Sequence, residues 1–185
     1  NDNPGNGKGQ GRDRIINLCM NREPRFYAWV AFDGGNYGTY LANGDPVYLN
    51  MIDPTRNGFD RNMRNNSITG FMSMKYQPPT IWKNNDNTSA GTSGFTGSQW
   101  TSRAIIRLAE LYLNRAECNA MLGNTTAAIE DINVIRRRAG AGELTSAHLA
   151  QMDILEWVKN ERMVEFAFEG KRLTDLIRWV EAEKY

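Results

Sequence analysis

The chain has 185 residues and a mass of 21.0 kDa, about the length of one ordinary domain. Its 22 basic and 21 acidic residues give a formal net charge of +1, which disfavours a nucleic acid or an anionic membrane surface as partner. A hydrophobic content of 41% excludes disorder throughout, and no apolar run approaches the roughly 20 residues of a membrane span.

Cysteine and histidine are too sparse to indicate a metal site. Cys19 and Cys118 lie far apart, which leaves one long-range disulfide open but excludes a metal-binding knuckle. The single histidine, His148, has no partner at ligand spacing and is interpreted as a solvated surface residue. We therefore expect no cofactor, no metal and no catalytic residues.

The first part of the chain, residues 1–100, contains all six prolines and most of the 17 glycines. This composition predicts a loop-rich segment with short strands. The aromatic and β-branched run Arg25–Phe32 predicts one strand, and residues 84–99 predict an exposed polar loop. Within that loop, Asn84–Asn87 offers oxygen ligands to calcium but lacks the glycine and glutamate of a regular calcium loop.

The second part, residues 101–185, has apolar positions at helical spacing and is predicted to be helical. A first helix is expected from an N-cap at Ser102 to Gly123, and a second ends in the basic residues Arg136–Arg138, before Ala139–Gly142. Together they resemble one tetratricopeptide-like hairpin, of which about three are normally stacked. The predicted fold class is mainly α, with these elements: a hairpin over 102–139 and further helices over about 146–169 and 171–182.

Charged side chains recur at intervals of three and four residues near the end of the chain. This spacing predicts ion pairs along or between helices, a structural role that is favoured over catalysis. The residues are Glu161, Arg162, Glu165, Glu169, Arg172, Asp175 and Arg178. The aspartates of the first part lie in turn contexts and favour turn formation over glycosidase chemistry; they are Asp33, Asp45, Asp53, Asp60 and Asp86.

Several aromatic residues of the first part lie in Gly- and Asn-rich segments. Aromatic rings stack on the C–H face of a sugar while neighbouring polar side chains bind its hydroxyl groups. The candidate carbohydrate-binding residues are Tyr37, Tyr40, Trp82 and Trp100.

Four segments resemble motifs of one family, the RagB/SusD outer-membrane nutrient-binding lipoproteins of Bacteroidetes. They are Asn21–Phe26 (NREPRF, with Glu where the family has Asp), Arg107–Glu117 (RLAELYLNRAE), Ile132–Gly140 (INVIRRRAG) and Glu161–Trp179 (ERMVEFAFEGKRLTDLIRW). The resemblance covers residues 21–35 and 103–180.

This resemblance implies a non-enzymatic, surface-exposed lipoprotein of the outer membrane that captures a glycan for polysaccharide utilisation. The implied partner is a SusC-like TonB-dependent transporter. The resemblance also implies that the chain is the C-terminal portion of such a protein, with its lipid anchor and the N-terminal half outside these residues. The alternative that the residues leave open is a helical-repeat scaffold that binds a protein or peptide.

Overall fold

The computed structural model describes residues 17–32, 35–40, 46–48, 69–76 and 104–184. By their contacts the residues form two units. The first comprises Asn1–Arg22 with Phe26–Arg103, and the second comprises Glu23–Arg25 with Ala104–Tyr185.

Among the described residues of the N-terminal part, residues 17–19 are helical, and one further short helix and four short strands follow. These are α1 (Pro24–Trp29), β1 (Val30–Phe32), β2 (Asn36–Tyr40), β3 (Pro46–Tyr48) and β4 (Phe71–Ser73). Strands β1 and β4 pair antiparallel with Ala31 opposite Met72, and β2 and β3 pair antiparallel with Asn36 opposite Tyr48. Each described sheet is therefore a two-stranded ribbon.

The prediction of a single strand over Arg25–Phe32 is wrong, because only Val30–Phe32 is extended. Pro24 is the first residue of α1, where its fixed φ and missing N–H suit the start of a helix. Arg25 follows, and its buried side chain pairs with carboxylates more than 130 residues further along the chain. Local composition cannot reveal a contact at that separation.

The second unit is called the helical unit here. Its first two long helices, α2 (Leu108–Met121) and α3 (Thr125–Ala139), form an antiparallel hairpin. Gly123 (φ +79°) adopts the left-handed conformation expected at the end of α2, and Gly140 (φ +68°) adopts it at the end of α3. The predicted start at Ser102 is not observed: residues 104–107 are not helical, and Ser102 itself lies outside the described residues.

The span predicted as one helix over about 146–169 is divided in two. A 3-10 helix, Ser146–Ala150, follows Thr145, and α4 (Ile154–Glu165) begins after Asp153. The Asp153 carboxylate accepts a hydrogen bond from the Leu155 amide at 3.0 Å, which caps a new helix rather than continuing the old one.

The last predicted helix, about 171–182, is shorter in the structure. Helix α5 (Arg172–Arg178) ends at Trp179, and a 3-10 helix occupies Ala182–Lys184. Val180 adopts φ +58°, which ends the helical path.

The core of the helical unit lies where α2 packs against α3 and α4. Ala116 and Ala128 are fully buried at the hairpin interface, where small side chains allow the two helices to approach. The core residues are Ala109, Leu113, Ala116, Ala128, Ile132, Ile135, Leu144, Ile154, Val158 and Phe166. The mainly helical fold with short strands is confirmed. None of the helices in the described ranges combines the length and the apolar composition needed to cross a membrane.

Candidate functional site

A buried ionic network surrounds Glu165, the last residue of α4. Glu165 is completely buried and accepts hydrogen bonds from Arg25 at 3.1 Å, Arg107 at 2.9 Å and Arg138 at 2.6 Å. Arg107 also donates to the Glu169 carboxylate at 2.6 and 3.1 Å. One carboxylate thus joins arginines from α1, from the start of α2 and from the end of α3.

A second centre of the same network is Glu161, one turn earlier on α4. Its carboxylate accepts from Arg25 at 2.7 Å and from Arg136 at 3.0 Å. Arg25 also pairs with Glu23 through two hydrogen bonds of 2.9 Å. The prediction of ion pairs between helices is confirmed here, although its partners Arg25, Arg107, Arg136 and Arg138 were outside the predicted set.

A third centre joins α2, α4 and α5 around Glu117. This nearly buried carboxylate accepts from both terminal nitrogens of Arg178, the second at 2.8 Å, and from the indole N–H of Trp179 at 2.9 Å. Arg162 lies 3.9 Å from Glu117 and pairs bidentately with Asp175 at 2.8 and 3.0 Å.

The electrostatic environment favours the charged forms of Arg25 and Glu117. Burial lowers the pKa of the Arg25 guanidinium, but hydrogen bonds to Glu23 and Glu161 outweigh it, and the pKa lies above its usual value. Burial raises the pKa of Glu117, but hydrogen bonds from Arg178 and Trp179 outweigh it, and the pKa lies below its usual value. An acid that is fixed as a carboxylate by arginine does not serve as a general acid at neutral pH.

Each buried carboxylate of the described helical unit pairs with at least one arginine. The pairs are Glu117 with Arg178, Asp131 with Arg115, Glu161 with Arg25 and Arg136, Glu165 with Arg25, Arg107 and Arg138, and Asp175 with Arg162. This arrangement holds helices in register, and the charged motif of Glu161–Trp179 is therefore architectural in this unit.

The structure does not test the four predicted carbohydrate-binding residues, because their side chains lie outside the part of the chain that it describes. Tyr37 and Tyr40 lie in β2, whose backbone alone is described. Trp82 and Trp100 lie outside the described residues, as do Asn84–Asn87 and the loop over 84–99.

Other aromatic side chains of the N-terminal unit are described and were not among the candidates. The rings of Phe26, Tyr27 and Phe32 lie 5.5 to 6.4 Å apart, and the Tyr27 hydroxyl donates to the Cys19 carbonyl at 2.8 Å. The Lys75 ammonium lies 3.7 Å from the centroid of the Trp29 ring. Lys75 therefore covers one face of the Trp29 indole.

A cavity of about 260 Å³ lies between α4 and α5. Arg162 and Asp175 line it together with Met163, Phe166, Phe168 and Arg172. Its volume is below the roughly 300 to 1,000 Å³ of pockets that enclose a small organic ligand.

The remaining sequence expectations concern cysteine, histidine and metal. Cys19 is buried, Cys118 is exposed, and both are free thiols, so the open disulfide does not form. His148 is half-buried, its Nδ1 accepts from the Thr145 amide at 3.0 Å, and its ring meets Trp157 edge-on. It caps a helix, which corrects its interpretation as a merely solvated residue. Among the described side chains, no cluster of three metal-ligating groups occurs.

The sequence profile of the SusD family matches residues 2–185 of the chain. The chain belongs to the SusD family. The SusD-like protein P25 of Formosa agariphila is 40% identical over 80 residues, which are 42% of this chain and 15% of that protein.

Solved structures of other SusD-like proteins share the fold. The structure of BT4246 in selenomethionine form matches with a TM-score of 0.78 and 43% identity, covering 97% of this SusD-family chain and 30% of that one. A SusD-like protein of Bacteroides fragilis, BF3747, matches with a TM-score of 0.67 and 31% identity over 90% of this chain and 30% of that one. The chain thus spans less than a third of the length of these relatives.

Proposed function

We propose that this chain belongs to a surface-exposed lipoprotein that captures an oligo- or polysaccharide without cleaving it. The observation that carries the proposal is the match of the SusD family to residues 2–185. The partner proposed with it is a SusC-like TonB-dependent transporter of the outer membrane, to which the lipoprotein delivers its glycan.

The state of the buried carboxylates supports binding without hydrolysis. A glycosidase requires two carboxyl groups about 5 to 10 Å apart, one of them protonated at working pH. Each buried carboxylate of the described helical unit is paired with arginine, and for Glu117 the hydrogen bonds from Arg178 and Trp179 hold the pKa below its usual value although burial raises it. This unit accordingly has a structural role, and the proposed binding residues lie in other segments of the chain.

The proposed glycan contacts are Tyr37, Tyr40, Trp82 and Trp100. Loss of one stacking contact is expected to weaken binding by roughly 1 kcal/mol, about fivefold in Kd. The test is affinity electrophoresis and calorimetry of the chain and its four single alanine variants against soluble amylopectin, levan, inulin and mucin O-glycans.

A matched control removes an exposed aromatic ring elsewhere. Phe168 is half-exposed in the helical unit, and Phe168→Ala is expected to leave affinity unchanged. Equal affinity of wild type and all four aromatic variants for a bound glycan would contradict the proposed contacts. Release of reducing sugar would contradict binding without cleavage, and the absence of binding to any glycan would contradict the ligand class.

A second candidate function, a protein- or peptide-binding scaffold, is favoured by exposed apolar side chains on α2. Leu108, Leu111 and Met121 are each more than half exposed. If the chain binds no glycan of the panel but retains a helical peptide partner at high salt, this candidate replaces the first.

A further inference from the structure

Helix α5 has the reverse of the polarity expected for a helix that packs on a core. Leu173, Ile177 and the following Val180 are 61–88% exposed, whereas Asp175 is buried. Leu176 is the one buried apolar residue of α5. The helix is thus attached with its charged side toward the protein and most of its apolar side toward solvent.

Polar contacts attach this segment to α2, to the residues just before α2 and to α4. Arg162 pairs with Asp175, and Glu117 accepts from Arg178 and Trp179, as described above. At the two ends, Lys171 donates to the Ile105 carbonyl at 3.2 Å and lies 3.1 Å from Glu110, and Lys159 lies 2.8 Å from Glu181.

The intrinsic stability of the segment is low. A helix of seven residues does not persist by itself in water, because nucleation is unfavourable and few hydrogen bonds follow. Val180 adopts φ +58°, a conformation that a β-branched residue avoids, and this strain is released when the segment opens. The α2–α3 hairpin and α4, by contrast, share the apolar core.

We propose that residues 171–181 form a strap that polar contacts fasten to α2 and α4, and that the strap detaches as a unit while the hairpin and α4 remain folded. Glu117 is its principal fastening, since it holds Arg178 and Trp179 together. Detachment exposes the polar side of α2 at Glu110, which is half-buried, and at Glu117, which is buried.

The proposal predicts an order of hydrogen exchange in the 185-residue chain. Amides of α5 should exchange by local opening, well before those of α3 and α4, which open only with the whole unit. The substitution Glu117→Gln keeps the shape but removes the charge, and we expect about 10- to 100-fold faster exchange in α5 with α3 unchanged.

The matched control is Asp131→Asn, which removes a buried carboxylate whose partner, Arg115, is exposed on the hairpin. This variant should leave exchange in α5 at the wild-type rate. Exchange is followed by mass spectrometry of peptides from α3, α4 and α5.

Wild-type protein alone can refute the strap. If its α5 amides are as protected as those of α3, the segment opens only with the whole unit and the proposal is wrong. The proposal is also wrong if Glu117→Gln accelerates exchange in α3 as much as in α5, or accelerates neither.

Discussion

The substitution Glu165→Gln should test whether the buried ionic network is essential to the fold. Glu165 has no exposed surface and faces guanidinium groups of Arg25, Arg107 and Arg138 at 2.6 to 3.1 Å. Glutamine preserves the volume of the side chain but has one acceptor oxygen instead of two. Its amide N–H groups would face the N–H groups of the arginines, which are donors as well. The guanidinium charges then lose their shared counter-ion inside the protein.

The expected cost follows from the burial of these charges. Breaking a buried pair by removing one partner costs about 3 to 5 kcal/mol. That is a large part of the roughly 5 to 15 kcal/mol of a whole domain. The corresponding fall in melting temperature for a chain of this length is roughly 6 to 20 °C.

Urea denaturation followed by far-UV circular dichroism measures the free energy of unfolding. The control is Arg137→Ala, which breaks an exposed pair with Glu143 of 2.8 Å and should cost less than about 1 kcal/mol. Arg138→Ala should fall between the two, because Arg138 is half exposed and Glu165 keeps two other partners. A loss for Glu165→Gln no larger than that of the control would refute the reasoning.

Three further substitutions test other parts of the helical unit. Burial raises the pKa of Glu117, but hydrogen bonds from Arg178 and Trp179 hold it below the usual 4.5, so the unfolded chain binds more protons than the folded chain. In an acid titration the free energy of unfolding should therefore fall below about pH 4.5, and it should fall less steeply in Glu117→Gln. Val180→Gly should raise the free energy of unfolding by about 1 kcal/mol in urea melts, because glycine adopts φ +58° without strain. Asn133→Ala should lower the free energy of unfolding by about 2 to 4 kcal/mol in the same assay, because the backbone of Leu144 loses two buried hydrogen bonds. These run from the Leu144 amide to the Asn133 side chain at 2.7 Å and from the Asn133 side chain to the Leu144 carbonyl at 2.8 Å; a loss below about 1 kcal/mol would contradict this.

Features that depend on neighbours in sequence were predictable. Gly123 was identified as a left-handed helix end because it follows a run of helical periodicity, and the end of the second helix was indicated by the basic residues Arg136–Arg138. The hairpin itself follows from two such helices and a short turn. The helix start at Asp153 also had a local signal, an aspartate before an apolar turn, but the periodicity over 146–169 obscured it.

Features that depend on distant residues were not predictable from periodicity. Spacing showed that Glu161 and Glu165 share one face of α4, yet nothing local indicates that Arg25 pairs with both. The segment Arg25–Phe32, whose composition favours a strand, is helical as far as Trp29, and Arg25 makes these distant contacts from the first turn of that helix. The spacing of charged residues along one helix therefore predicts which side chains form ion pairs. It does not identify their partners, because those come from distant segments that only the folded chain brings close.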